Sequence, residues 1–254
     1  MPTSHMHMSL TNQSSGARWN PLIVIAVVAV CLAVGALLVF WLAARTPPVS
    51  PPEAAEVIDF EAVKARAELG EAEAQKQLGS IYAKGQGVKQ SYAEAAKWYR
   101  KAADQGHAGA QAALGELYEA GQGVPCDEAQ AAQWYRRAAE QGQVVGQYSL
   151  AVLYVMGKGV PRDIAEAVKW YRQAADQGNA LAQYNLGRRH CEGDGVPKDP
   201  VEAYKWLKLA AAQGLPDAAQ ALDELKRSMT REQVAEGQRR ADAFAARKQV
   251  LPAH

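Results

Sequence analysis

Hydrophobic positions along the chain follow two different patterns. Residues 21–44 form an uninterrupted uncharged stretch, whereas from residue 60 onward apolar residues recur every three or four positions. Within 72–84, for example, Ala74, Leu78 and Ile81 recur at that spacing. Such spacing places the apolar side chains on one face of an α-helix. The chain is therefore predicted to contain one hydrophobic span followed by a series of amphipathic helices.

The uncharged stretch at 21–44 is long enough to cross a bilayer. A hydrocarbon core is about 30 Å thick and a helix rises about 1.5 Å per residue, so that about 20 residues suffice. Trp19 and Trp41 flank the stretch, and Arg18 and Arg45 bracket it. Both residue types are typical of membrane interfaces. We predict a transmembrane helix here.

A cleaved signal peptide is the competing interpretation of the same stretch. Its apolar region would span about 7–15 residues and precede a small-x-small cleavage site. The run is longer, and Leu42-Ala43-Ala44 places leucine where a small residue belongs. Because the short tail at 1–20 precedes a first span, we expect it to stay inside. This predicts a single-pass inner-membrane protein with its repeat domain in the periplasm.

A proline-rich linker is predicted at 45–59. Four prolines fall within residues 47–52. Such a composition favours an extended polyproline conformation with no core of its own. The linker would hold the following domain a short distance from the membrane.

A strict 36-residue period organises the next part of the chain. Four kinds of landmark recur in register: a glutamine near the unit start, a Gly-x-Gly-Val run, a tryptophan and a Gln-Gly ending. In the first unit they begin at Gln75, Gly85, Trp98 and Gln105. The four units of equal length are residues 72–107, 108–143, 144–179 and 180–215. Self-similarity at this period is typical of repeat architectures.

Each unit is predicted to form two helices. In the first unit, helix A covers about 72–84 and helix B about 92–105, with Gly85 ending helix A in a left-handed conformation. One hairpin cannot bury its apolar face alone, but stacked hairpins share a continuous core. We therefore expect an all-α solenoid over 60–227, starting with a half unit at its front. A C-terminal capping helix and tail would occupy 228–254.

Charge and cysteine content exclude several functions. The formal net charge is +1, which does not indicate nucleic-acid binding. Cys31, Cys126 and Cys191 are far apart, without a CxxC pair or a Cys/His cluster, so no metal site is predicted. The Gly-x-Gly-Val runs follow helices and lack a Gly-Lys-Ser/Thr ending, so they are interpreted as turns. We predict no catalytic residue and no cofactor.

The units resemble Sel1-like repeats, a branch of the tetratricopeptide superfamily. The resemblance rests on Ala-x-Ala-Gln-x-x-Leu-Gly-x-x-Tyr-x-x-Gly-x-Gly-Val at 72–88 and on Ala-x-x-Trp-Tyr-x-x-Ala-Ala-x-Gln-Gly at 95–106. It implies a right-handed α-solenoid that acts as a scaffold or adaptor for a protein or peptide partner, with a regulator as a special case. Some cysteine-rich members are linked to β-lactam or peptidoglycan handling, which leaves a cell-envelope enzyme as the alternative. This chain lacks their paired cysteines.

The resemblance also implies that helix A lines the inner curve of the solenoid. With the recurring glutamine counted as the fourth position, the second, fifth, ninth and twelfth positions of helix A would face the groove. The predicted partner-binding residues are Glu116 and Glu119 in unit two, Val145, Tyr148, Val152 and Val155 in unit three, and Leu181, Tyr184 and Arg188 in unit four. An exposed apolar patch of this kind marks a binding site, and Arg188 would suit a carboxylate. The alternative is that the next unit or the terminal helix covers these residues.

Overall fold

The computed structural model describes residues 59–250, with side chains to residue 248, and this part of the chain consists of helices joined by turns and short loops. The segments predicted as tail, transmembrane helix and most of the linker lie outside the described residues, as does Cys31. Among the described helices, none has the length and apolar character needed to cross a membrane.

Eleven helices follow one another across the described residues. A single helix, α1, covers Phe60–Glu68 and precedes four hairpins. The hairpins are α2 (Ala72–Lys84) with α3 (Tyr92–Asp104), α4 (Ala108–Ala120) with α5 (Glu128–Glu140), α6 (Val144–Met156) with α7 (Ile164–Asp176), and α8 (Ala180–Glu192) with α9 (Pro200–Ala212). Two further helices end the series, α10 (Pro216–Lys226) and α11 (Arg231–Val250). The first helix of each hairpin is called an A helix and the second a B helix.

Local sequence sets the helix ends. Gly85 follows α2 with φ 68°, a left-handed conformation that lets its N–H reach the Ile81 carbonyl. Each B helix starts after a Ser or Asp whose side chain accepts a backbone hydrogen bond; Asp127 accepts from the Gln130 N–H at 2.9 Å. The second glycine of the Gly-x-Gly-Val run has another role. A Cβ at Gly123 would lie 2.2 Å from the Tyr92 carbonyl carbon, so the loop packs directly on the previous B helix.

The hairpins stack in chain order. Each helix from α1 to α9 packs against the next, and α11 packs against α9. Among the A helices α4 contacts α6 directly, and α8 also contacts α10. Trp134 and Trp206 are buried between helices, whereas Trp98 and Trp170 are partly buried. This arrangement confirms the predicted all-helical solenoid of repeated helix pairs. The contact between α4 and α6 agrees with the expectation that A helices line the inner side of the stack.

Close approach within a hairpin depends on a glycine in the A helix. A Cβ at Gly115 would lie 2.8 Å from the Tyr135 ring, so the ring occupies the space of the missing side chain. Unit one has the same pair in Gly79 and Tyr99. In unit four Leu207 replaces the tyrosine against Gly187 and is fully buried.

A chain of buried glutamines joins consecutive hairpins. In unit two, the Gln111 amide donates to the Ala103 carbonyl of the preceding B helix at 3.1 Å. The side-chain carbonyl of Gln111 accepts from the Gln141 side-chain amide at 2.7 Å. Gln75, Gln147 and Gln183 make equivalent contacts. We call these four residues and their Gln-Gly partners the glutamine ladder.

The last hairpin is covered by both final helices. α10 and α11 each pack against α9. The Phe244 ring lies 5.4 Å from the Trp206 ring in an edge-to-face arrangement. A Cβ at Gly237 would lie 2.6 Å from the Tyr204 ring, so α11 approaches α9 as closely as helices do within a hairpin.

Candidate functional site: the inner face of the A helices

The nine predicted binding residues lie on α4, α6 and α8, and we call them together the A-helix face. Val145 and Leu181 are 39% and 44% exposed, although both are apolar. Glu116, Glu119 and Arg188 are also exposed. The remaining members, Tyr148, Val152, Val155 and Tyr184, are half-buried.

The half-buried members owe their cover to the helices beside them. The Tyr148 ring lies 5.9 Å from the Tyr171 ring of α7, and burial raises the pKa of the Tyr148 hydroxyl. Val152 and Val155 pack against the buried residues of units three and four. Neighbouring units thus cover part of each of these side chains. The apolar surface open to solvent centres on the second position of α6 and α8, where Val145 and Leu181 lie.

The acidic members of the face lie close to one another on α4. The Tyr135 hydroxyl donates to the Glu119 carboxylate at 2.8 Å. The pKa of Tyr135 is raised, first by burial and then by this bond to a carboxylate. The pKa of the Glu116 carboxyl is also raised, first by partial desolvation and then by the negative charge of Glu119. Within residues 59–248, neither carboxylate forms an ion pair with lysine or arginine.

A cleft of about 480 Å³ lies between α8 and α10 at the far end of the face. Tyr184, Arg188 and Cys191 form one wall, and Glu224 and Leu225 are part of the other. The cleft therefore combines apolar and charged groups.

Arg188 could bind a partner's carboxylate only in place of one that it already contacts. Its guanidinium already contacts the Glu192 carboxylate at 2.7 Å, four residues along the same helix. This bond raises the pKa of Arg188, which stays charged. A partner carboxylate would have to compete with Glu192.

The two described thiols are in different surroundings. Cys191 is half-buried, and burial followed by the charge of Glu192 raises its pKa. Cys126 is exposed, with its thiol 3.5 Å from the Glu119 carbonyl oxygen. In the part of the chain that the structure describes, no three His, Cys, Asp or Glu residues are grouped so that they could hold a metal ion.

Sequence reasoning missed the surroundings of His190. Its side chain is only 6% exposed, and neither ring nitrogen makes a hydrogen bond of normal geometry with a described residue. In units two and three a tyrosine stands at this position, and its hydroxyl accepts from an arginine, as Tyr154 does from Arg136 at 2.5 Å. The sequence does contain a signal for this arginine–tyrosine pair, because the two residues recur 18 residues apart in successive units.

These features define a class: a repeat protein built from stacked helical hairpins, with an inner face composed of A-helix side chains. A family model described as the Sel1 repeat matches residues 72–107, 108–143, 144–179 and 180–215. The chain belongs to the Sel1-repeat family.

Solved structures agree with this assignment. A protective antigen present in uropathogenic Escherichia coli strains is 39% identical over 73% of this chain and 41% of its own, with a TM-score of 0.66. A Sel1 repeat protein from Oxalobacter formigenes is 39% identical over 65% of this chain and 48% of its own, with a TM-score of 0.62. The chain spans less than half the length of either protein. No curated protein matches the chain significantly.

Proposed function

We propose that this protein is a non-catalytic scaffold, which binds a protein or peptide partner through the A-helix face. The observation that carries the proposal is the solvent exposure of Val145 and Leu181 at equivalent positions of neighbouring units. Exposed apolar residues that recur along one face of a repeat protein form an extended surface, and such surfaces are where these proteins bind others. The half-buried Tyr148 and Tyr184 beside them add rigid aromatic area.

The state of Cys191 argues against a cysteine-nucleophile enzyme as an alternative to the scaffold. A nucleophilic cysteine needs a lowered pKa, supplied by a nearby positive charge or a helix N-terminus. Cys191 lies near the C-terminal end of α8, and its pKa is raised. The thiol nearest the cleft is therefore held in its protonated, unreactive form.

The proposal includes a membrane anchor at residues 21–44, with the repeat domain in the periplasm. Its support is the sequence alone: an uncharged stretch of sufficient length, flanked by tryptophan and arginine. An anchored scaffold would bring its partner to the membrane surface. Cysteine substituted into the linker and labelled with a membrane-impermeant reagent in intact cells would test the orientation.

In-cell cross-linking followed by mass spectrometry tests the scaffold. In a Val145→Asp/Leu181→Asp variant, charges replace apolar groups that are already exposed, so folding is preserved while an apolar partner is repelled. The matched control is Leu69→Asp, because Leu69 is 83% exposed and lies outside the A-helix face. We expect the double variant to lose the partners that the wild type and the control both capture. Equal capture by all three, with unchanged helicity, would reject the proposal.

A Tyr148→Ala/Tyr184→Ala variant provides a second test of the same face. Both rings are half-buried, so the comparison requires that the thermal unfolding of this variant is measured alongside capture. Loss of partner capture at a temperature where the variant remains helical would support binding through the A-helix face.

A further inference from the structure

A second cleft, of about 390 Å³, lies beside the last helix and shares no lining residue with the A-helix face. Its lining comes from α9, the end of α10, the turn that follows and the first half of α11. We call it the α11 cleft. It also shares no residue with the cleft beside Arg188, so it is a separate feature of the molecule.

Most of the lining of the α11 cleft is apolar. Met229 and Val234 are half-buried and pack against a cluster that includes the buried Tyr204 and Leu222. The exposed Ala235 lines the same cleft. Apolar surface of this kind favours an apolar group that removes it from water. The volume is near the lower end of the range of about 300–1,000 Å³ for binding pockets, so the cleft suits one or two side chains.

The two charged residues in this lining, Lys226 and Arg231, are both basic. Lys226 contacts the Asp223 carboxylate at 3.0 Å in an exposed pair, which contributes little stability. Arg231 forms no ion pair with any residue between 59 and 248. Glu232 is adjacent in sequence, but hydrogen bonds from its own backbone N–H and from Thr230 lower the pKa of its carboxyl. The cleft therefore combines an apolar surface with positive charge.

We infer that the α11 cleft binds a peptide segment of a partner in which an apolar side chain is flanked by Asp or Glu. The apolar side chain would cover Met229 and Val234. A neighbouring carboxylate would pair with Arg231, whose planar guanidinium can donate two parallel hydrogen bonds to it. A second carboxylate would compete with Asp223 for Lys226.

This second site goes beyond the proposed function, since it uses a surface other than the A-helix face. Its charge also limits the choice of partner segment, because a basic peptide would be repelled by the same two side chains that attract an acidic one. A purely apolar peptide would leave both cations without a partner. The cleft is therefore expected to distinguish peptides by charge as well as by hydrophobicity.

Selection from a phage-displayed library of random eight-residue peptides on the purified full-length chain tests the inference. Lys226→Gln/Arg231→Gln removes the charges of the cleft. Its matched control is Lys89→Gln/Arg247→Gln, which removes two exposed cations outside the cleft that form no ion pair within residues 59–248.

Ala235→Phe tests the apolar part, because a ring at this exposed position would fill the cleft without replacing a core residue. Its matched control is Ala243→Phe, which adds the same ring at an exposed position of the same helix outside the cleft. Circular dichroism confirms that both variants keep their helicity. Val145→Asp/Leu181→Asp shows whether a selected peptide binds the A-helix face instead.

The wild type, both matched controls and Val145→Asp/Leu181→Asp should enrich peptides with Asp or Glu within three residues of an apolar side chain. Ala235→Phe should lose these peptides. For the synthetic consensus peptide, we expect Lys226→Gln/Arg231→Gln to lower the affinity about five- to tenfold in fluorescence anisotropy, from the loss of two partly exposed charge contacts. Raising the salt concentration should weaken wild-type binding and have little effect on this variant.

The contrary outcomes separate this inference from the proposed function. A wild type that enriches no acidic–apolar peptides, or an Ala235→Phe variant that binds them as tightly as the wild type, overturns the inference and leaves the scaffold proposal intact. Equal affinity of the glutamine variant and the wild type overturns it as well. Peptides lost only by Val145→Asp/Leu181→Asp would lie on the A-helix face, which would support the proposed function and reject the α11 cleft.

Discussion

His190 occupies the position that tyrosine holds in the three preceding units. Arg172 stands 18 residues before it, where Arg100 and Arg136 in earlier units donate to the tyrosine hydroxyl. An imidazole is shorter than a phenol, and here it makes no such bond. Burial lowers the pKa of His190, with the nearby Glu202 acting in the opposite direction.

This buried imidazole predicts a specific pH dependence. Because the pKa of His190 is lower in the folded than in the unfolded chain, the unfolded chain takes up more protons as the pH falls below about 6.5. Native stability contributed by the neutral imidazole is thus present above that pH and lost below it. Replacing His190 with Tyr removes this loss and restores an acceptor for Arg172.

Urea unfolding of the wild type and His190→Tyr between pH 5 and 8 checks the prediction. We expect the variant to be more stable by about 1 kcal/mol at pH 7, the net value of a typical hydrogen bond. Its advantage should grow towards pH 5. The other titrating groups are common to both chains, so parallel pH profiles would contradict the assignment.

The glutamine ladder operates between helices. Each buried glutamine donates to a carbonyl of the preceding helix and accepts from a second glutamine 30 residues later in the chain. One side chain therefore connects three helices. A buried polar group that is fully paired adds specificity to an interface that apolar contacts alone leave free to slide.

Replacing Gln111 with Leu tests the ladder. Leucine fills a similar volume but removes both side-chain hydrogen bonds of Gln111, one to the Ala103 carbonyl and one from the Gln141 amide, so the free energy of unfolding should fall by about 1–3 kcal/mol. Gln133→Leu is the control, since Gln133 is exposed on α5. Urea titrations followed by circular dichroism give the comparison, and equal midpoints for the two variants would show that the ladder adds no stability.

Much at this scale could be predicted from sequence. The period and the 3.6-residue spacing located both helices of every unit, because each depends on residues close in the chain. The ladder could not be predicted, since recurrence of Gln75 and Gln105 does not reveal that their side chains meet. The exposure of the helix A positions was predicted only in part. Val145 is open as expected, but Ala112 at the fifth position of α4 is buried, because helix-to-helix distances decide how much of each position stays uncovered.

At the scale of the whole molecule, a stack of hairpins needs covered ends. α11 covers the last hairpin. The Phe244 ring packs against the Trp206 ring, and the backbone at Gly237 packs against the Tyr204 ring. A repeat array gains stability from contacts between neighbours, so loss of a terminal cover exposes apolar surface.

A leucine at Gly237 should displace α11. Its Cβ alone would lie 2.6 Å from the Tyr204 ring, so the helix must move away. We expect a loss of at least about 1–3 kcal/mol and faster trypsin cleavage at Arg239 and Arg240 under native conditions. The control is Ala243→Leu, on the exposed side of the same helix. Equal cleavage rates in both variants would show that α11 is held by other contacts.

Units of identical length also create a hazard that the sequence variation counters. A folding chain could align one hairpin out of step, joining each A helix to the wrong neighbour with little penalty, and such misassembly is a known failure of repeat proteins. The substitutions Ala151, His190 and Leu207 make units three and four distinguishable from the others. An alignment displaced by 36 residues would set Leu207, in place of the tyrosine, beside an A helix shaped for an aromatic ring. These departures from the common pattern thus identify units three and four during folding, and they raise the energy of alignments that misplace either unit.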